Sequence, residues 1–283
     1  MNSLYKQTLI AAAITFSSAS SAFASLPWIG SADYLAAPGA QNDEALVGPF
    51  DTYDFGAGIG LIVPDSSVAV GNTFSGWIQT MVNSHILGGT GISVPQLNTT
   101  GTGGGFELTV ISQFSGTYTS LIGGLLGFTI DSGTASMMFD SNPNFSFAND
   151  TGFSDGNAIL TGGITGGSGF VNMNVGYGFE AVSLGFTGAL AVVDPNVYSP
   201  STIDGGTALF SITALGPFTS TPVISQVIGG DNSVMGNSAV NGQLFELDGK
   251  LQLTAVPVPT SAWLFLSGMM GLLAFNRKKP LAA

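Results

Sequence analysis

The chain has 283 residues, no cysteine, one histidine and a formal net charge of −12, and charged residues make up only 8% of it. All 17 acidic residues lie between Asp33 and Asp248, while Lys250 is the only cation between Lys6 and Arg277. This balance excludes nucleic acid as a partner, because nothing neutralises phosphates, and the lack of cysteine excludes disulfides, thiol catalysis and thiolate metal sites.

The N-terminus has the order of a secretory signal. Lys6 precedes the apolar run Leu9 to Phe16, and small residues lead to Ala22-Phe23-Ala24. A signal peptide is expected over residues 1–24, with cleavage between Ala24 and Ser25. Residues 25–48, broken by Pro27 and Pro38, read as an irregular leading arm.

Residues 49–255 read as an all-β extracellular domain. The 20 phenylalanines supply apolar surface that a disordered chain lacks, and short apolar runs alternate with Gly, Ser, Asn and Asp clusters. In chain order, strands are expected over Phe50–Pro64, Thr73–Val82 and Phe106–Tyr118, the last with the clearest alternation (Phe106, Leu108 and Val110 against Glu107 and Thr109). Gly56, Gly58 and Gly60 do not form a dinucleotide-binding fingerprint; they fit a bulged or tightly packed strand. Leu121–Asp131 and Thr134–Asp140 read as two strands turning at Asp131-Ser132-Gly133. Residues Asp140 to Asn157 read as a long polar loop. The β pattern resumes over Ala158–Thr161, Gly169–Val175 and Gly178–Val193, with Gly162-Gly163 and Gly166-Gly167 as turns. After a loop over 194–206, strands follow at Ala208–Leu215 and Pro222–Ile228. Gln243–Thr254 reads as a hairpin with Asp248-Gly249 in a type I′ turn. About ten strands predict a Gly-rich antiparallel β-sandwich or jelly-roll-like domain.

Catalytic residues are few. The single His85 stands without a second histidine for a His-rich metal site. Gly152-Phe153-Ser154-Asp155-Gly156 matches the nucleophile-elbow pattern but lacks the strand before it and the helix after it. The acid pairs Asp51/Asp54 and Asp43/Glu44 are the glycosidase candidates. No catalytic residue, cofactor or enzymatic activity is assigned. Calcium, bound by oxygen alone, is the metal that Asp140, Asn142, Asn144, Asp150 and Asp155 would suit, although Phe145 and Thr151 break the EF-hand pattern. Trp28, Trp77, Tyr34, Tyr53, Tyr118, Tyr177 and Tyr198 either stack on sugar rings or pack the core.

The C-terminus closes on Val256-Pro257-Val258-Pro259, an apolar run containing Trp263-Leu264-Phe265 and Gly268, and the cations Arg277, Lys278 and Lys279. Counted from Val256 the run reaches the roughly 20 residues needed to cross a bilayer, and the cations hold the tail, residues 280–283 included, on the cytoplasmic side. This three-part arrangement over residues 256–279 resembles the PEP-CTERM sorting signal of Gram-negative bacteria, in the V-P-x-P variant. The resemblance implies a transmembrane helix, export through the inner membrane and processing by an exosortase, an inner-membrane cysteine protease. The product then goes to the cell surface or an exopolysaccharide matrix. The segments at 106–117, 132–140 and 153–162 resemble the flocculation-associated subset of that family, which implies a role in biofilm or floc formation.

The sequence thus predicts an exported structural or adhesive protein whose partners are an exosortase and exopolysaccharide. Strand edges that lack protective lysines suggest association through those edges. A lectin-like sugar-binding module is the alternative, and a secreted glycosidase a third reading.

Overall fold

Alternation of apolar and small polar residues gives this chain strands far longer than the usual 3–10 residues. The computed structural model describes residues 26–41, 44–100, 104–172, 176–185, 191–215, 233–238 and 242–256. The strands are β1 (Gly30–Asp33), β2 (Leu46–Phe50), β3 (Thr52–Phe55), β4 (Gly58–Pro64), β5 (Thr73–Leu87), β6 (Thr90–Ile92), β7 (Glu107–Ile122) and β8 (Leu125–Asp140). They continue with β9 (Asn157–Asn172), β10 (Gly176–Gly185), β11 (Val192–Val193), β12 (Tyr198–Ser199), β13 (Thr207–Leu215), β14 (Ser233–Val234), β15 (Asn237–Ser238) and β16 (Gln243–Thr254).

The body is all-β and antiparallel, as expected, but its main sheet closes on itself. The order runs β10-β13-β16-β3-β5-β7-β8-β9, and β9 pairs back onto β10. β3 and β4 lie end to end between β16 and β5, so together they form one stave. With the other seven strands this makes a barrel of eight staves. The predicted sandwich or jelly-roll-like domain takes the form of one closed antiparallel sheet, because successive hairpins β7-β8-β9-β10 keep adding to that sheet. Among the described residues, closure gives each stave a paired neighbour on both sides over most of its length, while the end of β7 beyond Tyr118 pairs with β8 alone.

Several glycines read as turns lie inside strands. β8 continues through Asp131-Ser132-Gly133, with a register shift against β7 at Asp131, and β9 continues through Gly162-Gly163 and Gly166-Gly167. The actual β7–β8 turn is Gly123-Gly124, with φ of +60° and +86°, the two positive values that a type I′ turn needs. The predicted hairpin at Asp248-Gly249 is likewise one continuous strand, in which Asp248 pairs with Thr213 and Gly249 with Ile212. The burial pattern explains why. Leu247, Leu251 and Leu253 are buried, so the period of two passes unbroken through Gly249. The leading arm also holds regular structure: β1 and the start of β2 lie within it, and β1 pairs with both β2 and β12.

Glycine and phenylalanine fill the barrel as a pair. A Cβ on Gly60 would fall 2.1 Å from the Phe245 ring, one on Gly76 2.4 Å from Phe114, and one on Gly116 2.4 Å from Phe74. Each ring lies over a glycine of another strand, the small-against-large filling that a narrow barrel requires. The predicted tight packing at Gly56-Gly58-Gly60 is met by three different neighbours, Met81 at Gly56, Thr80 at Gly58 and Phe245 at Gly60. Interior voids beside Met137 and Leu160, and beside Ile78 and Phe114, measure about 10 Å³ each, so side chains occupy the lumen.

One barrel end is covered by the small sheet β12-β1-β2. At this end Tyr34, just after β1, lies tilted on His85 and Phe106 and stacked on Phe139, and Phe50 of β2 meets Tyr53 and His85 edge-on, while Trp28 meets Phe50 and Tyr198 edge-on. The rings form a single buried cluster with the lumen residues.

Candidate functional site

The site assembles on the polar face of β7. Glu107 opens β7, Asp140 closes β8, and the two are directly paired across the sheet. The chain after Asp140 then folds back over β7. Phe145, Phe147 and Phe153 pack ring against ring, and Thr109 Oγ1 donates to the Phe153 carbonyl at 2.8 Å. The predicted polar loop is therefore a packed cover, and it leaves Glu107 with no exposed surface.

Three carboxylates meet beneath and beside this cover. One oxygen from each of Glu107, Asp140 and Asp155 lies within 4.8 Å of the other two. Glu107 Oε2 accepts from the Asn144 and Phe145 N–H groups at 2.8 and 3.2 Å. Its Oε1 is buried without a partner. Asp140 Oδ1 accepts from the Asn142 N–H at 2.8 Å, and Asp155 Oδ2 from Asn144 Nδ2 at 3.1 Å. Burial above all raises the Glu107 carboxyl, the Phe145 and Asn144 N–H groups oppose the shift, and the neighbouring Asp140 and Asp155 add a smaller upward push, so that it stands at about 7. Like charges placed directly opposite in a sheet repel, and none of the three has a cationic partner among the described residues.

Of the sequence candidates for calcium, Asp140 and Asp155 converge, whereas Asn142 and Asn144 hold those carboxylates in place through donor groups. Asp150 does not join them. Its Oδ1 accepts from the Met235 N–H at 3.1 Å, and its Oδ2 from the Gly236 N–H at 2.7 Å and the Ser233 hydroxyl at 2.9 Å. Asp150 therefore pins the β14–β15 hairpin to the cover. Glu107 is the member that sequence reasoning missed. The signal that could have found it is the turn at Gly123-Gly124, from which β7 and β8 run equal lengths and set Glu107 opposite Asp140.

The catalytic candidates lie elsewhere. His85 is fully buried, its Nε2 2.7 Å from the Tyr34 hydroxyl. Tyr34 contacts the Tyr53 hydroxyl at 3.2 Å, Tyr53 donates to Tyr198 at 2.9 Å, and Tyr198 donates to Met137 Sδ at 3.9 Å. One proton order satisfies every hydroxyl: His85 Nε2–H to Tyr34, Tyr34 to Tyr53, Tyr53 to Tyr198. It leaves Nδ1 as the atom without a partner. Burial holds His85 down at about 3 and pushes all three phenols well above their ordinary value. Ser154 is exposed on the cover. Asp51 accepts from Thr52 Oγ1 and the Gly88 N–H, Asp54 from Ser84 Oγ, and Glu44 from the Gln41 N–H. Asp43 lies outside the described residues.

Ala24, Ser25, Pro257, Val258, Pro259, Arg277, Lys278 and Lys279 also lie outside them. Val256 lies within: its N–H donates to the Thr202 carbonyl at 2.9 Å, two residues beyond the end of β16. Among the described residues no helix is long and apolar enough to cross a membrane; the span predicted over 256–279 lies, apart from Val256, outside them. The chain matches no protein-family model, no curated protein and no solved structure.

Proposed function

We propose that this chain is an exported protein of a bacterial surface or exopolysaccharide matrix, delivered by its Pro257-Val258-Pro259 signal and released by an exosortase, with a structural or adhesive role. The observation that supports this over the lectin-like reading is where the aromatics lie. Trp28, Tyr34, Tyr53, Tyr118 and Tyr198 are buried and Trp77 is partly buried, so five of the seven candidate sugar-stacking rings are used in packing. The filled lumen points the same way, because it leaves contact to the outer wall. That wall carries cross-strand polar pairs: Ser115 with Ser132 at 3.0 Å, Thr117 with Asp131 at 2.7 Å, and Thr161 with Ser136 at 3.1 Å. Such a surface suits many weak hydrogen bonds to a hydrated polymer.

The test is co-sedimentation of the purified protein, freed of its tail, with the producing cell's own exopolysaccharide, run beside sedimentation analysis of the protein alone. Retention with the polymer or self-assembly is expected. A protein that stays monomeric and ignores the polymer contradicts the proposal.

A further inference from the structure

We propose that Glu107, Asp140 and Asp155 form a binding site for a divalent cation of the calcium type, which clamps the 140–157 cover onto β7 and β8. This does not depend on the proposed matrix function.

Two independent observations meet here. The first is the convergence of three carboxylates, two of them directly opposite in the sheet, with no lysine, arginine or histidine beside them among the described residues. An acidic cluster alone is ordinary on so acidic a chain. The second is the state of Glu107. Its side chain is fully buried, one oxygen is held by two backbone N–H groups, and the other has no partner at all. A buried carboxylate oxygen left unmatched is costly. The fold has nevertheless spent two loop N–H groups on fixing this carboxylate in place, which leaves Oε1 as a ligand in a preset position.

The donor chemistry selects the metal. The cluster offers only oxygen, which favours hard cations and disfavours zinc or copper. Its ligands come from two strand ends and a loop, an irregular arrangement that suits the variable coordination of calcium better than the strict octahedron of magnesium. Water would complete the coordination on the side of Asp155, which is exposed. The binding would be felt beyond the site. Asn144 links Glu107 to Asp155, and within the same cover Asp150 holds Ser233, Met235 and Gly236.

The experiment is thermal unfolding and calorimetric titration of the purified protein, first stripped with a chelator, against calcium chloride, magnesium chloride and sodium chloride of matched ionic strength. Calcium is expected to bind near one per chain, with an affinity on the order of 0.1–1 mM, typical of extracellular modules. At a hundredfold excess over that constant the midpoint should rise by roughly 5–10 °C. Glu107→Gln and Asp155→Asn should each abolish the calcium response, whereas Asp248→Asn, on the distant β16, should keep it. The proposal is overturned if calcium shifts the wild-type midpoint no further than matched sodium chloride. It is equally overturned if Glu107→Gln retains the full calcium shift. The wild-type comparison decides the matter even if a variant fails to fold.

Discussion

Lowering the pH should weaken this fold through one residue, His85. Its ring is fully buried among Tyr34, Phe50 and Tyr53, and burial alone takes it from 6.5 to about 3. A histidine that stays neutral in the fold but takes up a proton when unfolded contributes stability that is complete above pH 6.5. That contribution is lost as pH falls from 6.5 towards 3. The slope is about 1.4 kcal/mol per pH unit, so the full loss is on the order of 4–5 kcal/mol. His85→Gln is the perturbation, because glutamine keeps an N–H near the place of Nε2–H and cannot be protonated. Urea unfolding of both proteins at pH 7, 6, 5 and 4 gives the difference. Glu107, whose raised value acts with the opposite sign between about 4.5 and 7, is common to both chains and cancels. The stability of wild type relative to the variant should fall by about 1.4 kcal/mol per unit below pH 6.5. Parallel pH profiles would refute the account of a histidine held neutral by the packed barrel end.

Two further outcomes follow from the same geometry. Tyr34, Tyr53 and Tyr198 keep their protons in the fold well above pH 10, so their contribution is full below pH 10 and falls as pH rises beyond it. An ultraviolet phenolate titration should show their ionisation appearing only with unfolding, and Tyr53→Phe, which breaks the chain at its centre, should cost about 1–3 kcal/mol. Asp150→Asn tolerates the backbone φ of +53° but loses the carboxylate that holds β14–β15. Amide exchange at Met235 and Gly236 should accelerate, with a stability loss of about 1–3 kcal/mol; unchanged exchange would show that the hairpin is held by other contacts.

The strand content was legible because alternation is local. Leu108 and Val110 against Glu107 and Thr109 needed nothing beyond the pleat. The closeness of packing at Gly58 and Gly60 was also readable, but its causes, Thr80 of β5 against Gly58 and the Phe245 ring of distant β16 against Gly60, were not. Asp248-Gly249 misled because a dipeptide propensity was weighed above the phase of the leucines around it. Leu247, Leu251 and Leu253 keep one parity, which a two-residue turn would have broken. Barrel closure was invisible, since it rests on the long-range pairing of β16 with β3 and β4, strands from opposite ends of the β body. At the candidate site, Asp140 and Asp155 were visible by composition alone. Glu107 stood only as one of the polar positions of the β7 alternation, because nothing local shows that the chain after Asp140 returns to cover it.

The central claim, that the chain is exported and cut at the edge of its β body, is tested most directly by intact mass spectrometry of the protein recovered from the cell surface and medium. The account predicts one species that begins at Ser25 and ends between Val256 and Pro259, lacking Arg277, Lys278 and Lys279. Recovery of the protein only inside cells, or with its C-terminal cations still attached, would contradict it.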